Sequence, residues 1–276
     1  MNEKDLKKLH ELLIMLSEEV KRICNENGIK YSLTGGSMIG AVRHKGFIPW
    51  DDDMDIAMLR EDYNKFLEAC ETQLGPAFEI QTMDNDPDYF FGFAKIMLKD
   101  TYLVQYCHEK TKQKKGIYVD IFPLDNVPAD VKDRKEQKLK TYLLIKMLAR
   151  KGKAGIEDKS SLLKFVAFHL IDFVNIFFSM KYLKSKLYEN MTKFNCTKTE
   201  MVCNMSGYYG YDKETTYRKY FEDTIVVSFE STEFSIIKEY DTFLRTVYGD
   251  YMKLPPKEKR HTHGFQSLDF GPYKNV

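Results

Sequence analysis

Four aspartates within five positions, Asp51, Asp52, Asp53 and Asp55, sit just behind a glycine pair and a basic triplet in the run GGSMIGAVRHKGFIPWDDDMDIAM, Gly35–Met58. Carboxylates about 4 Å apart repel by roughly 1 kcal/mol even in water, and by more where water is excluded. A fold that keeps them together has to leave them in solvent or offset their charge. From Asp53 onward the pattern alternates, with Asp53, Asp55 and Ala57 on one side and Met54, Ile56 and Met58 on the other, the period of a half-buried strand. Asp51 and Asp52, next to Pro49 and Trp50, fall at the mouth of that strand.

The flanking sequence places this strand in a larger plan. Apolar residues recur at Leu6, Leu9, Leu12, Leu13, Leu16, Val20 and Ile23, which predicts an amphipathic helix stopped at Gly28. A short strand over Ile29–Leu33 then leads into Gly35-Gly36-Ser37, where the serine suits the N-cap of a helix over Ser37–His44. Arg60–Leu74 reads as a helix, and Phe78–Thr82, Tyr89–Leu98 and Thr101–Tyr106 as further strands of a mixed sheet. In Gly116–Pro128, Ile117, Val119 and Ile121 alternate with Tyr118, Asp120 and Phe122, so a lone aspartate interrupts an apolar strand. Asp125, further along in PLDNVP, reads as a turn or cap residue.

Beyond Asp130 long helical patterns take over, through Lys132–Lys153 and Ser160–Met191. Leu162–Met180 is strongly apolar, yet Lys164, His169, Asp172 and Asn175 interrupt it, which predicts a buried or interfacial helix rather than a membrane span. Thr224–Phe234 reads as a hairpin, Ser235–Gly249 as a helix, and Asp250–Phe265 as an irregular basic tail.

Lysine plus arginine (42) nearly balance aspartate plus glutamate (41), so no overall field points to nucleic acid as partner, and anion binding has to be local. Five scattered cysteines without a Cys-x-x-Cys pair argue against a disulfide framework or a thiolate zinc site and fit a reducing compartment. The charged N-terminus lacks the apolar core of a signal peptide, so a cytoplasmic protein is expected, peripheral at the inner face of the membrane if the apolar helix touches lipid.

A divalent cation reverses the repulsion of clustered carboxylates, and an all-oxygen set favours Mg2+ or Mn2+ over zinc. Helix-start amides at a glycine turn form an anion site that lets a phosphate approach closely. Arg43 and His44 add positive charge beside it. Each feature alone has an ordinary explanation: a turn, a solvated basic loop, an acidic strand end. Their coincidence with Asp120 points to phosphoryl chemistry.

A Gly-Gly-Ser turn, an Asp-x-Asp strand and a later strand with one acidic residue resemble the polymerase-beta-type nucleotidyltransferase superfamily. The longer strings through Tyr63, with FAKI, GIYVDIFPLDNVP and YGDYMKLPPKEKRHTH, more specifically resemble the LicD family of phosphotransferases, which is related to fukutin and fukutin-related protein. The resemblance implies an α+β fold: a nucleotidyltransferase-like mixed sheet with flanking helices in a catalytic core over 1–128, then a mainly helical region over 129–276 whose late hairpin and basic tail contribute to the site. It implies transfer of phosphocholine from CDP-choline to a cell-surface glycan of teichoic acid or lipopolysaccharide type, with CMP leaving.

On that reading Asp53, Asp55 and Asp120 are the catalytic and metal-holding residues. Gly35, Gly36, Ser37, Arg43 and His44 hold the donor phosphates. Trp50, Asp51 and Asp52 receive the choline ammonium, for which an aromatic face is the natural partner. Lys95, Arg260, His261 and His263 are candidates for phosphate or acceptor contacts. The acceptor is a glycan, lipid-linked in one version, and no nucleic acid is expected. Transfer of ethanolamine, ribitol or glycerol phosphate, nucleotidyl transfer to a sugar or antibiotic, and a non-catalytic surface role remain open alternatives.

Overall fold

The computed structural model describes residues 2–155, 162–262 and 264–275. Helix α1, Glu3–Glu26, starts where the Asn2 side chain accepts the Asp5 N–H and ends ahead of Gly28, which takes a left-handed φ of 62°. Its stripe of Leu9, Leu12, Leu13, Leu16, Val20 and Ile23 is buried, each side chain contributing about 1.5–3 kcal/mol of burial free energy. Strand β1 (Ser32–Leu33) precedes α2 (Gly35–His44), and β2 (Asp55–Leu59) runs directly into α3 (Arg60–Gln73). Then come β3 (Phe78–Gln81), β4 (Ala94–Leu98), β5 (Tyr102–Gln105) and β6 (Tyr118–Val127).

The second half opens with helices α4 (Val131–Lys151), α5 (Leu162–Asn175) and α6 (Met180–Thr192). After them β7 (Met201–Cys203) and β8 (Thr215–Tyr217) flank the one-turn helix α7 (Tyr211–Glu214), and α8 (Arg218–Glu222) follows. The hairpin β9 (Thr224–Phe229) and β10 (Thr232–Ile237) leads to α9 (Tyr240–Tyr248) and β11 (Phe265–Asp269).

The main sheet is mixed, in the order β1-β2-β6-β4-β3, with β7 added to β6 and β8 to β7. β2 and β6 are parallel while β4 lies antiparallel to both β6 and β3. Helix α1 packs on this sheet, and its side chains share one core with those of β2, β4 and β6. A smaller cluster around Leu148, Leu183, Leu187 and Met191 joins α4 and α6 to Val127 and Cys203. Lys184 ties α6 to the loop between β3 and β4 by donating to the carbonyls of Met83, Asp86 and Pro87.

Several expectations about local structure change. Ser37 does not cap α2; the helix begins two residues earlier, at Gly35 after Thr34, and the Ser37 hydroxyl instead accepts the Asp55 N–H at 2.9 Å. Asp125 is no turn residue. β6 runs through Pro123 to Val127, Asp125 pairs with Cys203 of β7, and its fully buried carboxylate takes a two-pronged bond from Arg60 at 2.7 and 2.6 Å. Alternation fails along β2 because its last four residues are all buried, as expected of a strand covered on both faces. The helix read from Ser235 begins at Tyr240, since Ser235–Ile237 complete the hairpin with β9. The long apolar pattern over 160–191 breaks at Ser179, whose hydroxyl accepts the Tyr182 N–H. Residues 156–161, and the side chains of 162–168, lie outside the described residues.

Candidate active site

The site is built where α2 starts, β2 starts and β6 passes beneath. Asp55 is pinned through its backbone: its N–H goes to Ser37 Oγ at 2.9 Å and its carbonyl takes the Thr34 N–H at 3.0 Å. Asp55 and Asp120 are Cα partners across the parallel β2–β6 pair, and Asp120 and Lys95 are partners across the β6–β4 pair. Partners in register share a face, so Asp55, Asp120 and Lys95 form a row across three strands. Lys95 Nζ meets Asp120 Oδ1 at 2.7 Å and lies 3.1 Å from the centre of the Tyr118 ring, with Phe91 and Phe93 at 5.7 and 5.5 Å.

The glycines fit against this row. A Cβ on Gly35, whose φ is +58°, would fall 2.8 Å from Asp55 Oδ2, and one on Gly36 only 2.4 Å from Asp51 Oδ2. Both positions exclude a side chain because the carboxylates already occupy the space. The start of α2 thus faces Asp51 and Asp55, placing its positive end toward negative charge.

Asp51, Asp52 and Asp53 bring one carboxylate oxygen each within 4.8 Å of the others. Burial, then the charges of Asp53, Asp120 and Asp51 in that order, push the Asp55 carboxyl well above the usual carboxylate range, with Lys95 opposing. Burial pulls the Lys95 ammonium below its ordinary value, against Asp120, Asp55 and Asp53. The donor set is oxygen only and its members repel, so the residues fit a hard divalent cation.

The loop carrying the trio is held from both ends of the chain. His10 of α1 stacks on Phe47 with ring centres 3.9 Å apart and bonds the Asp51 carbonyl oxygen at 2.7 Å, which places its proton on Nε2. Burial lowers the His10 pKa and keeps the ring neutral in that role. At the tip of the β9–β10 hairpin, Glu230 Oε1 accepts the Phe47 N–H at 3.0 Å while the Glu230 N–H goes to the Lys45 carbonyl.

Beside the carboxylates stands a cationic wall. Burial, followed by the Arg260 charge, depresses the Arg43 pKa, and Asp51 opposes them; Arg43 also donates to the Tyr251 carbonyl. His44 is lowered by burial and by Arg43. The Arg260 guanidinium lies 5.3 Å from the Trp50 ring, so one cation already occupies the aromatic surface expected to receive choline. Two arginines that repel one another beside a neutral histidine leave room for an anion to stabilise both. His261 is exposed, and His263 lies outside the described residues.

Sequence reasoning missed a second aromatic surface. Tyr209 and Tyr248 meet edge to face at 5.0 Å, and Tyr208 continues the series to Tyr209 at 5.4 Å. Glu214 sits behind them, accepting the Tyr209 N–H at 3.2 Å, and burial pushes its carboxyl up to about 7. Burial chiefly raises the pKa values of Tyr209 and Tyr248, with Asp51 and Asp55 among the smaller causes, which places the corner within electrostatic reach of the acidic mouth. The signal available was the run YYGYDKE, with three tyrosines around a glycine and an acid beyond.

The arrangement sets an oxygen-only acidic cluster beside a cationic wall, and comparison with known proteins assigns the chain's family. A family model described as LicD/FKTN/FKRP, nucleotidyltransferase domain, matches residues 28–143. The chain is 30% identical over 256 residues to the lipopolysaccharide cholinephosphotransferase LicD of Haemophilus influenzae, covering 88% of this chain and 90% of that one. It is 34% identical over 96 residues to the human ribitol 5-phosphate transferase FKRP, covering 35% of this chain and 17% of that protein. The protein belongs to the LicD family and is related to fukutin-related protein. Among the described residues no helix is long and apolar enough to cross a membrane.

Proposed function

We propose that the protein is a metal-dependent phosphotransferase that moves phosphocholine from CDP-choline to a hydroxyl of a cell-surface glycan, of teichoic acid or lipopolysaccharide type, and releases CMP. The observation that carries this reading is the row Asp55, Asp120, Lys95 beside the Asp51–Asp53 trio and the Arg43–Arg260 wall, which sets a cation-binding and an anion-binding surface side by side. Asp53, Asp55 and Asp120 would hold Mg2+ or Mn2+. Bound there, such an ion would offset the negative charge of the donor's diphosphate.

The chain's own residues do the rest. Arg43, with the amides of Gly35 and Gly36, orients the donor's phosphates. The acceptor oxygen attacks the phosphorus that carries choline, a carboxylate of the row takes its proton, and the bridging P–O bond breaks so that CMP departs with the bridging oxygen. Lys95 fixes Asp120 through its ion pair and so sets where the row's charge lies.

A second reading, transfer of ribitol phosphate from a CDP-ribitol donor, draws support from the match to the ribitol 5-phosphate transferase. One experiment separates the readings: incubate the protein with Mg2+ or Mn2+ and CDP-choline, CDP-ethanolamine, CDP-ribitol, CDP-glycerol or CTP, and identify the products. CMP from CDP-choline is expected. CMP from CDP-ribitol alone replaces the donor, and pyrophosphate from CTP replaces the reaction.

A further inference from the structure

The chain carries a formal net charge of +1, but its charge is unevenly spread. Residues 131–193 hold fifteen lysines and arginines against six aspartates and glutamates, a net +9 that leaves −8 for the remainder. This is the segment of α4, α5 and α6.

The same unit exposes its largest apolar side chains. Leu170, Phe173 and Phe177 recur at helical spacing along the outer side of α5 and just past its end, with exposures of 62, 60 and 71%, and Ile176 beside them reaches 74%. The outward pose is fixed: the Arg150 guanidinium pairs with Asp172, Asn175 Nδ2 donates to the Met147 carbonyl at 3.0 Å, and Lys151 Nζ donates to the Asn175 carbonyl. Next to this ridge lies an open groove of about 580 Å3, walled by Leu143, Leu144, Met147, Val174, Phe178 and Tyr182 and rimmed by Lys140, Lys186, Lys193 and Glu189, with Lys140 paired to Glu136 and Lys186 to Glu189.

We propose that the α4–α6 unit is a docking surface for an anionic lipid bilayer, with Leu170, Phe173, Ile176 and Phe177 entering the headgroup and acyl boundary and the surrounding lysines resting on lipid phosphates. Aromatic and aliphatic side chains on a helix whose described residues are too few to span a bilayer, set among lysines, match the chemistry of an interfacial helix. Anionic headgroups attract each nearby lysine and arginine. A second copy of the chain is a poor occupant, because it would bring two faces of the same positive sign together. The groove beside the ridge has a largely apolar lining that suits an acyl tail from the same layer.

The test uses the whole 276-residue chain and needs no substrate, so its outcome stands apart from the donor assignment. Sedimentation with vesicles of mixed phosphatidylcholine and phosphatidylglycerol is compared with vesicles of phosphatidylcholine alone. Partition onto the anionic vesicles is expected to exceed the neutral ones by about tenfold at low ionic strength and to fall toward the neutral level near about 0.5 M salt. F173S combined with F177S should lower it about tenfold at unchanged circular dichroism. K140Q combined with K186Q, which leaves the apolar ridge intact, should weaken binding to anionic vesicles alone. Equal partition onto neutral vesicles, wild-type binding by both double variants, or no vesicle binding by the wild type would each overturn the proposal, as would a concentration-dependent dimer lost in F173S/F177S.

Discussion

Asp55 and Asp120 face each other as register partners across a parallel strand pair, and the next partner beyond Asp120 in the same row is Lys95, bonded to it at 2.7 Å. The sheet itself sets the spacing of the charged groups, so a substitution in the row should change chemistry while leaving the fold in place. Asp53→Asn and Asp120→Asn are each expected to lower CMP release by at least about a hundredfold. Their melting temperatures should stay within a few degrees of wild type in the absence of metal, and near-normal turnover in either variant would refute the assignment.

Metal binding has a readout that needs no turnover. A divalent cation that binds only the folded state at about a hundred times its dissociation constant stabilises it by about 2.7 kcal/mol. Mn2+ or Mg2+ is therefore expected to raise the wild-type melting temperature, and EDTA to remove both the rise and the activity. Asp53→Asn should show little of that rise; a full rise would place the ion elsewhere.

Arg43 should act on the donor. With Arg43→Ala, KM for the CDP donor is expected to increase about tenfold, the usual cost of losing one charge-assisted phosphate contact. Since Arg43 also bonds the Tyr251 carbonyl, thermal melting is run in parallel. A large drop in melting temperature with unchanged KM would make Arg43 a scaffold residue.

Donor choice distinguishes the two aromatic surfaces. The Trp50 ring carries Arg260 at 5.3 Å, while the Tyr209 ring, with Lys213 more distant at 5.9 Å, stands with Tyr248 close to the acidic mouth. Trp50→Leu is expected to weaken every donor alike, through Arg260. Tyr209→Leu should weaken CDP-choline about tenfold more than CDP-ribitol, since a quaternary ammonium on a ring gains about 0.5–2 kcal/mol. The opposite pattern in a competition assay would assign choline to Trp50.

Glu214 gives a pH signature. Burial raises its carboxyl to about 7, above its unfolded value near 4.5, so between those values the folded protein holds more protons than the unfolded chain. This group's contribution to stability is present below about pH 4.5 and is lost as pH rises through about 7. Glu214→Gln should flatten that part of the profile in chemical unfolding at stepped pH; an unchanged slope would mean that another group titrates.

Much of the site was legible because its parts lie close together in sequence. The glycine turn, the Asp-x-Asp run and the isolated Asp120 each break a simple pattern, and the α1 stripe and the late hairpin follow strict periods. What escaped notice depends on distant partners. Asp125 resembles a turn residue in PLDNVP until Arg60, sixty-five positions earlier, closes on it. Nothing local marks Arg260 as the cation on Trp50, or Tyr209 and Tyr248 as neighbours. β2 hid its boundaries because a parallel pair is covered on both faces and loses the alternation that would have announced it.

The Arg60–Asp125 pair, buried and two-pronged, gives a clean contrast with the row of Asp55, Asp120 and Lys95. Arg60→Met should destabilise the fold by about 3–5 kcal/mol by stranding a carboxylate in the core. Activity per folded molecule should hold, which a shift in urea midpoint measured alongside CMP release would check.

The grip of Glu230 on Lys45 and Phe47 has a consequence for how the protein comes into being. The chain emerges from the ribosome N-terminus first, so the acidic loop is synthesised long before the hairpin tip that holds it. Until about residue 230 has cleared the exit tunnel, the nascent loop lacks one of its two clamps and its carboxylates have no fixed spacing. The fixed geometry of the acidic loop is therefore a late event in biosynthesis, reached only when a distant hairpin folds back onto an early turn.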